Sequence, residues 1–179
     1  PVQDLRLHLD LDLQQIAAEA LGTQRGAVVA LDPLNGGVLA MVSNPSYDAN
    51  LFVEGISYRA YATLRNSMDT PLLNRAVQGQ YPPGSTVKPL LALGGLSRDF
   101  ITTATTVRDP GWYRIPGDDR RYRDWTLRVR GGGHAERVDM RMAIAESCDT
   151  YYYDLAYRMG IDTMADVLEP FGYQLFHAP

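Results

Sequence analysis

Ser85 and Lys88 are spaced for nucleophilic catalysis, because they form the pattern Ser-x-x-Lys. If Ser85 begins a helix, Lys88 follows one turn later on the same face, where its amine can meet the serine hydroxyl. A serine attacks a carbonyl group only with a base beside it, and burial or a nearby cation favours the neutral, basic form of a lysine. The start of the helix also adds backbone donors and a partial positive charge near the reacting carbonyl. Taken alone, the pattern equally fits a capping serine followed by a solvated lysine.

A longer run around this pattern is far more specific. Residues 72–89, LLNRAVQGQYPPGSTVKP, closely resemble the active-site segment of class B penicillin-binding proteins, the peptidoglycan D,D-transpeptidases. Residues 28–33 and 37–43 are similar to the first hairpin of that family, and residues 44–50 resemble the loop that follows it. The segments keep the family's order over nearly the whole chain and look most like the penicillin-binding protein 2 group, the elongation transpeptidases of rod-shaped Gram-negative bacteria. The resemblance implies that the serine of the pattern is the nucleophile and the lysine its base.

The resemblance assigns the second family motif, Ser-x-Asn, to Ser147-Cys148-Asp149. It implies that Ser147 relays a proton between Lys88, the nucleophile and the leaving group. Asp149 replaces the usual Asn, as fits the penicillin-binding protein 2 group, and it can accept a hydrogen bond from the lysine ammonium. A simpler alternative, compatible with the first, is that Ser147 and Asp149 close one helix and cap the next.

The third family motif, Lys-Thr/Ser-Gly on a strand beside the cleft, does not occur in the 179 residues. In the family, that strand helps to hold the substrate carboxylate and contributes a donor to the oxyanion hole. We therefore expect residues 1–179 to be the N-terminal portion of the transpeptidase domain, with an incomplete catalytic centre of their own. The function inferred here is that of the parent protein.

Four residues offer the ligand types that zinc accepts, and together they would close a tetrahedral structural site: Asp109, Asp124, His134 and Cys148. Their spacing matches neither a zinc finger nor a zinc ribbon. The segments around them, residues 109–111, 122–125 and 133–134, resemble parts of penicillin-binding protein 2 chains, some members of which hold a structural zinc. The alternative is a buried free thiol and a surface histidine.

Cys148 lies between the two polar residues of the second motif. If Ser147 and Asp149 face the cleft, the cysteine side chain can point away from it. A metal bound there could fix the second motif through the backbone and take no part in the chemistry. No cofactor is expected for catalysis itself.

Hydrophobic patterning predicts the elements that position these residues. A helix is expected over residues 10–21, followed by a hairpin whose strands are residues 27–31 and 38–42. Residues 97–137 are expected to form an extended excursion. Further helices are predicted near residues 57–64, 140–146, 150–159 and 162–168, with Gly160 ending the third. A hairpin flanked by helices indicates an α/β (α+β) domain with helices on an antiparallel sheet. The resemblance implies the penicillin-binding and serine β-lactamase-like transpeptidase fold.

Composition limits the other possibilities. The chain is 45% hydrophobic and 21% charged, as in ordinary soluble domains, and its net charge of −4 argues against nucleic acid as a partner. The arginines of residues 120–130 are mixed with aspartates and are expected to form a solvated loop. The tyrosines at residues 151–153 and 157 could form a stacking platform for nucleic acid or sugars, but their helical spacing favours core and edge packing. Trp112 and Trp125 could line a zinc loop or a partner surface, and the sequence does not separate these options.

Three classes of function remain. The first is a transpeptidase that cross-links stem peptides, is inhibited by β-lactams and acts in cell-wall elongation and cell shape. The second is a serine β-lactamase or β-lactam sensor, although no segment resembles a water-activating loop. The third is a non-catalytic scaffold, which the intact Ser85, Lys88 and Ser147 argue against. The resemblance implies a periplasmic domain on an inner-membrane anchor outside this chain, with a SEDS-type glycosyltransferase and the elongation machinery as partners.

Overall fold

The computed structural model describes residues 4–53 and 55–173. The chain divides into two compact units, Pro1–Pro82 and Pro83–Pro179. None of the described helices is long and apolar enough to cross a membrane. Both units combine helices with short antiparallel pairs of strands.

The first unit is built on one antiparallel hairpin. Its elements are α1 (Leu11–Leu21), β1 (Gly26–Leu31), β2 (Val38–Asn44), a 3₁₀ turn (Ala49–Phe52), α2 (Tyr58–Arg65) and α3 (Arg75–Gln78). The hairpin pairs Gly26 with Asn44 and Val28 with Val42. Helix α1 packs on β2, where Ala17 meets the buried face of the hairpin.

Gln14 joins α1 to β2 through both ends of its amide. Its Nε2 donates to the Met41 carbonyl at 2.8 Å, and its Oε1 accepts from the Met41 N–H at 2.7 Å. A single side chain thus satisfies a backbone donor and a backbone acceptor of the strand, as a further strand would do. Asp10 begins the helix by accepting from the Leu13 N–H.

The second unit is mostly helical and holds every candidate site residue. Its elements are α4 (Lys88–Ser97), β3 (Thr106–Val107), β4 (Trp112–Tyr113), β5 (Tyr122–Arg123), α5 (Trp125–Arg130), β6 (Val138–Asp139), α6 (Met140–Ala145) and α7 (Asp149–Leu168). The short strands form two antiparallel pairs, β3 with β6 and β4 with β5. Helix α7 is interrupted at Gly160, where φ is 73°.

The core of this unit lies between α4 and α7. Gly94 allows the close approach of the two helices, since a Cβ at this position would lie 2.4 Å from Val167 Cγ1. Leu91, Tyr151 and Leu155 are buried in the same cluster. The structure therefore confirms that the tyrosines at residues 151 and 152 pack in the core, with 1% and 4% of their surfaces exposed.

The predicted helices and the hairpin are confirmed to within two residues of their expected ends. The chain around Ser85 forms a 3₁₀ turn, and the regular helix that follows begins at Lys88. The excursion of residues 97–137 contains more structure than expected. Two-residue strands are too short to give a periodic signal. The solvated loop predicted for residues 120–130 is wrong over Trp125–Arg130, which form α5 between an Asp124 N-cap and a left-handed Gly131.

Candidate active site

Ser85 lies in a short turn that leads directly into α4. Gly84 has φ 56°, a left-handed conformation that glycine adopts readily, and the 3₁₀ turn Gly84–Val87 follows. Lys88 then begins α4, and its backbone N–H donates to the Ser85 carbonyl. Ser85 is exposed whereas Lys88 is buried. This places an accessible hydroxyl directly before a desolvated lysine.

The Lys88 amine reaches across the unit to the second motif. Its Nζ lies 2.8 Å from the Ser147 carbonyl oxygen, 3.1 Å from Ser147 Oγ and 2.5 Å from Asp149 Oδ1. The Tyr152 ring centroid lies 5.4 Å away. Three acceptors match the three donors of a lysine ammonium. The second motif therefore offers the Lys88 amine one acceptor for each of three N–H groups.

The expected contact between the Ser85 hydroxyl and the Lys88 amine is not formed in the part of the chain that the structure describes. The side-chain hydrogen bonds of Lys88 go to Ser147 and Asp149. The spacing allowed a contact along the helix, but a charged partner from another element attracts the ammonium more strongly than a neutral hydroxyl.

Ser147 has φ 54°, a left-handed conformation that is unusual for a residue with a Cβ. It follows α6, where Glu146 is the C-cap, and its backbone N–H donates to the Ile144 carbonyl at 3.3 Å. Such a conformation costs roughly 1–3 kcal/mol and persists only where its surroundings enforce it. Here it lets the carbonyl and hydroxyl oxygens of Ser147 both face Lys88.

Asp149 opens α7 but does not cap it, contrary to one interpretation of the sequence. Its carboxylate binds Lys88. The cap comes instead from Asp124, whose Oδ2 accepts from the backbone N–H groups of Asp149 at 2.6 Å and of Thr150 at 3.1 Å. The Oδ1 atom of Asp124 also caps α5 by accepting from the Thr126 N–H at 3.0 Å.

The four candidate metal ligands converge behind the second motif. One ligand atom from each residue lies within 4.8 Å of the others: Asp109, Asp124, His134 and Cys148. His134 Nδ1 lies 2.7 Å from Asp109 Oδ2 and 3.6 Å from Asp124 Oδ1. The side chains of all three residues are fully buried. The alternative of a surface histidine is therefore wrong.

Cys148 is the single cysteine of the chain and is completely buried. Burial raises the pKa of its thiol to about 12, and the charges of Asp109 and Asp124 act in the same direction. Burial also raises the pKa of the Asp109 carboxyl, but hydrogen bonds from the backbone and side chain of His134 outweigh that effect and leave its pKa lowered. Without a cation, the cluster thus holds a neutral thiol beside acidic groups.

Three contacts near the site were not predicted from the sequence. Trp125 Nε1 donates to the Glu146 carbonyl at 3.1 Å, and its ring packs edge-on against His134. Arg130 Nη1 lies 3.2 Å from Glu146 Oε2. Trp112 lies elsewhere in the unit, beneath the Arg121 guanidinium at 4.5 Å. The two tryptophans, which the sequence treated alike, therefore have different environments.

Comparisons with known proteins agree with this geometry. The family model of the penicillin binding protein transpeptidase domain matches residues 26–175. Peptidoglycan D,D-transpeptidase MrdA of Escherichia coli K12 is 51% identical over 170 residues, which cover 95% of this chain and 26% of that protein. The chain therefore spans about a quarter of the length of the curated relatives it matches.

Solved structures show the same architecture. Pseudomonas aeruginosa PBP2 in complex with WCK 5153 has a TM-score of 0.89 and 50% identity, over 97% of this chain and 37% of that one. The complex of Helicobacter pylori PBP2 with MreC has a TM-score of 0.83 and 34% identity, over 92% and 30%. The penicillin G acyl-enzyme of penicillin-binding protein A from M. tuberculosis has a TM-score of 0.80 and 30% identity, over 92% and 39%.

Proposed function

The chain belongs to the penicillin-binding protein transpeptidase family, and on that premise we propose that it carries the acyl-accepting part of a peptidoglycan D,D-transpeptidase, with Ser85 as the nucleophile. The observation that carries the proposal is the hydrogen-bond set of Lys88, which links this buried lysine to Ser147 and Asp149. An accessible serine beside such a proton-transfer group is equipped to form an ester.

In the proposed reaction, the hydroxyl oxygen of Ser85 bonds to the carbonyl carbon of the penultimate D-Ala of a stem peptide. The peptide bond to the last D-Ala breaks, the serine proton reaches the leaving amine, and free D-Ala departs. An amine of a second stem then attacks the ester carbon. The bond between that carbon and the Ser85 oxygen breaks, one proton of the amine passes to the Ser85 oxygen, and the new peptide bond completes the cross-link.

Lys88 and Ser147 are the proposed route for these protons. Ser147 Oγ lies 3.1 Å from Lys88 Nζ, so a proton can pass between them. Asp149 stabilises the ammonium form of Lys88, which is the form that donates to the leaving amine. The base form requires that a proton first leaves the amine. Alternation between the two forms supplies the proton transfers of both half reactions.

A structural zinc site at Asp109, Asp124, His134 and Cys148 is the second part of the proposal. Tetrahedral zinc with bonds of roughly 2.0–2.3 Å has ligand atoms roughly 3.3–3.8 Å apart. Asp124 Oδ1 and Cys148 Sγ fit this spacing, at 3.6 Å from His134 Nδ1 and Asp109 Oδ2 respectively. His134 Nδ1 and Asp109 Oδ2 are 2.7 Å apart and would separate slightly on binding the metal. Zinc, when bound, would neutralise the carboxylate and thiolate charges and hold the segment before α7 in place.

The proposed setting follows from the relatives. Penicillin-binding protein A of M. tuberculosis forms a penicillin G acyl-enzyme, which supports β-lactams as inhibitors of this chain's parent. The complex of H. pylori PBP2 with MreC supports a partner of the MreC type within an elongation machinery. We propose the same setting here, with a SEDS-type glycosyltransferase as a further partner and the periplasmic face of the inner membrane as the location.

Labelling of the full-length protein with a fluorescent penicillin tests the nucleophile. We expect one adduct per molecule, located on Ser85 by mass spectrometry, and no adduct after Ser85→Ala. Ser97→Ala, at the other end of α4, is the matched control and should label normally. An adduct on another residue, or normal labelling of Ser85→Ala, would contradict the assignment.

The same experiment separates a transpeptidase from a β-lactamase. A transpeptidase keeps its penicilloyl ester for many minutes, whereas a β-lactamase hydrolyses it and loses the label. Metal analysis of the same preparation tests the second part of the proposal. About one zinc per molecule is expected, and its absence from correctly folded, acylated protein would refute the zinc site.

A further inference from the structure

Glu146, the last residue before the second motif, is held by three side chains. Its carbonyl oxygen accepts from Trp125 Nε1 at 3.1 Å and lies 3.2 Å from His134 Nε2. Its carboxylate oxygen Oε2 lies 3.2 Å from Arg130 Nη1. The Arg130 guanidinium in turn lies over the Trp125 ring, 5.1 Å from the centroid. Helix α5 therefore holds both the backbone and the side chain of Glu146.

The position of Glu146 makes these contacts important for the second motif. The final carbonyls of a helix lack partners within the helix. Glu146 is the C-cap of α6 and carries such a carbonyl. The Glu146 carbonyl and the Ser147 N–H form one peptide unit, and the φ angle of Ser147 is 54°. A donor at that carbonyl fixes the orientation of this peptide plane. The strained serine backbone then presents both of its oxygens to Lys88.

We propose that Trp125 is a positioning residue for acyl transfer, acting through the Glu146 carbonyl on the Ser147 turn. The proposal rests on the function proposed above for Ser85 and Lys88. The Trp125 ring also packs against His134, with centroids 5.7 Å apart and an interplanar angle of 76°. Packing needs only a ring, whereas the bond to the carbonyl needs the indole N–H. Substitution can therefore separate the two roles.

Trp125→Phe in the full-length protein removes the donor and keeps an aromatic ring. Rapid labelling with a fluorescent penicillin gives two quantities, the final amplitude and the acylation rate constant. Amplitude measures the folded, competent fraction, and the rate constant measures the arrangement of reacting groups within it. We expect an unchanged amplitude and a rate constant lowered about fivefold, as the loss of one hydrogen bond predicts. The dissociation constant of the penicillin before acylation should stay the same.

Trp112→Phe is the matched control, because Trp112 lies against Arg121 and makes no hydrogen bond to Glu146 among the described residues. It should acylate at the wild-type rate. Trp125→His offers a ring N–H on a smaller side chain and should acylate at a rate near that of the wild type, whereas a rate as low as that expected for loss of the donor would count against the proposal. This third variant keeps the proposal testable if the phenylalanine variant does not fold.

Several results would overturn the proposal. Equal rate constants for Trp125→Phe and wild type would show that the indole N–H does not position the turn. A lowered amplitude with an unchanged rate constant would mean that Trp125 only supports folding. A slower rate accompanied by loss of bound metal would place the effect at His134 rather than at Glu146. If wild-type protein itself did not acylate, the proposed function would fail instead, so the two failures are distinguishable.

Discussion

The Asp124 carboxylate accepts a hydrogen bond from the backbone N–H of Asp149 at 2.6 Å. The side chain of Asp149 in turn binds the Lys88 amine at 2.5 Å. One residue thus joins the buried cluster of metal-ligand types to the proton-transfer residues. A substitution in the buried cluster should therefore affect the proton-transfer residues, and a substitution among those residues should affect the cluster.

Asp149→Asn should retain most of the acylation activity. Asparagine keeps an oxygen that accepts from Lys88, and it is the residue that the family motif usually has at this position. Asp149→Ala removes the acceptor from a lysine that is 9% exposed and should slow acylation further than Asn does, by about tenfold or more. Acylation rate constants of the two variants provide the measurement. Equal losses for Asn and Ala would mean that the acceptor oxygen is unimportant.

Asp124→Ala should lower the stability of the protein and slow acylation together. It removes the acceptor for the first N–H groups of α7, and the loss of a helix cap costs about 1–2 kcal/mol. Thermal unfolding measures the first effect and penicillin labelling the second. Asp12→Ala, a first-turn substitution in α1, is a control that should leave acylation unchanged. Normal acylation in Asp124→Ala would show that the cap of α7 has no effect on the reacting groups at Lys88 and Asp149.

Cys148 should resist alkylation in the native protein at pH 8. Its side chain is completely buried, and in the metal-free protein burial raises the pKa of the thiol to about 12, so little of the nucleophilic thiolate is present there. Bound zinc would protect the sulfur as well. Iodoacetamide followed by mass spectrometry of the peptide containing Cys148 measures the modification, with urea-unfolded protein as the positive control. Rapid modification of folded protein would contradict the buried position.

Gly94→Ala should destabilise the protein by about 1–3 kcal/mol, as overpacking does. The new methyl group would lie 2.4 Å from Val167 Cγ1, at the contact between α4 and α7. Adding Val167→Ala removes the clashing methyl groups and should make Gly94→Ala much less damaging than it is alone. A double-mutant cycle from urea unfolding measures this coupling. Strictly additive effects would show that the two residues do not meet.

The sequence by itself determined the family, most of the regular elements and the identity of the candidate residues. Helix α1 has apolar residues at helical spacing, and the hairpin has two apolar runs around a turn, so their bounds were predictable. The family motifs supplied Ser85, Lys88 and the second motif, because such motifs are local in the chain. Local signals did not predict the structure of residues 97–137. Strands of two residues are too short to show periodicity, and the N-cap Asp124 and the C-cap Gly131 of α5 were not recognised.

Only the tertiary structure decided which side chains meet. Lys88 and Asp149 are separated by 61 residues, and their contact depends on the packing of α4 against α7. The same holds for Asp124, which no pattern identified as the cap of α7, and for the tryptophan that binds Glu146. Spacing along one helix favoured a bond between Ser85 and Lys88. The folded chain instead directs the ammonium to a carboxylate from a distant segment, because a charged acceptor binds it more strongly.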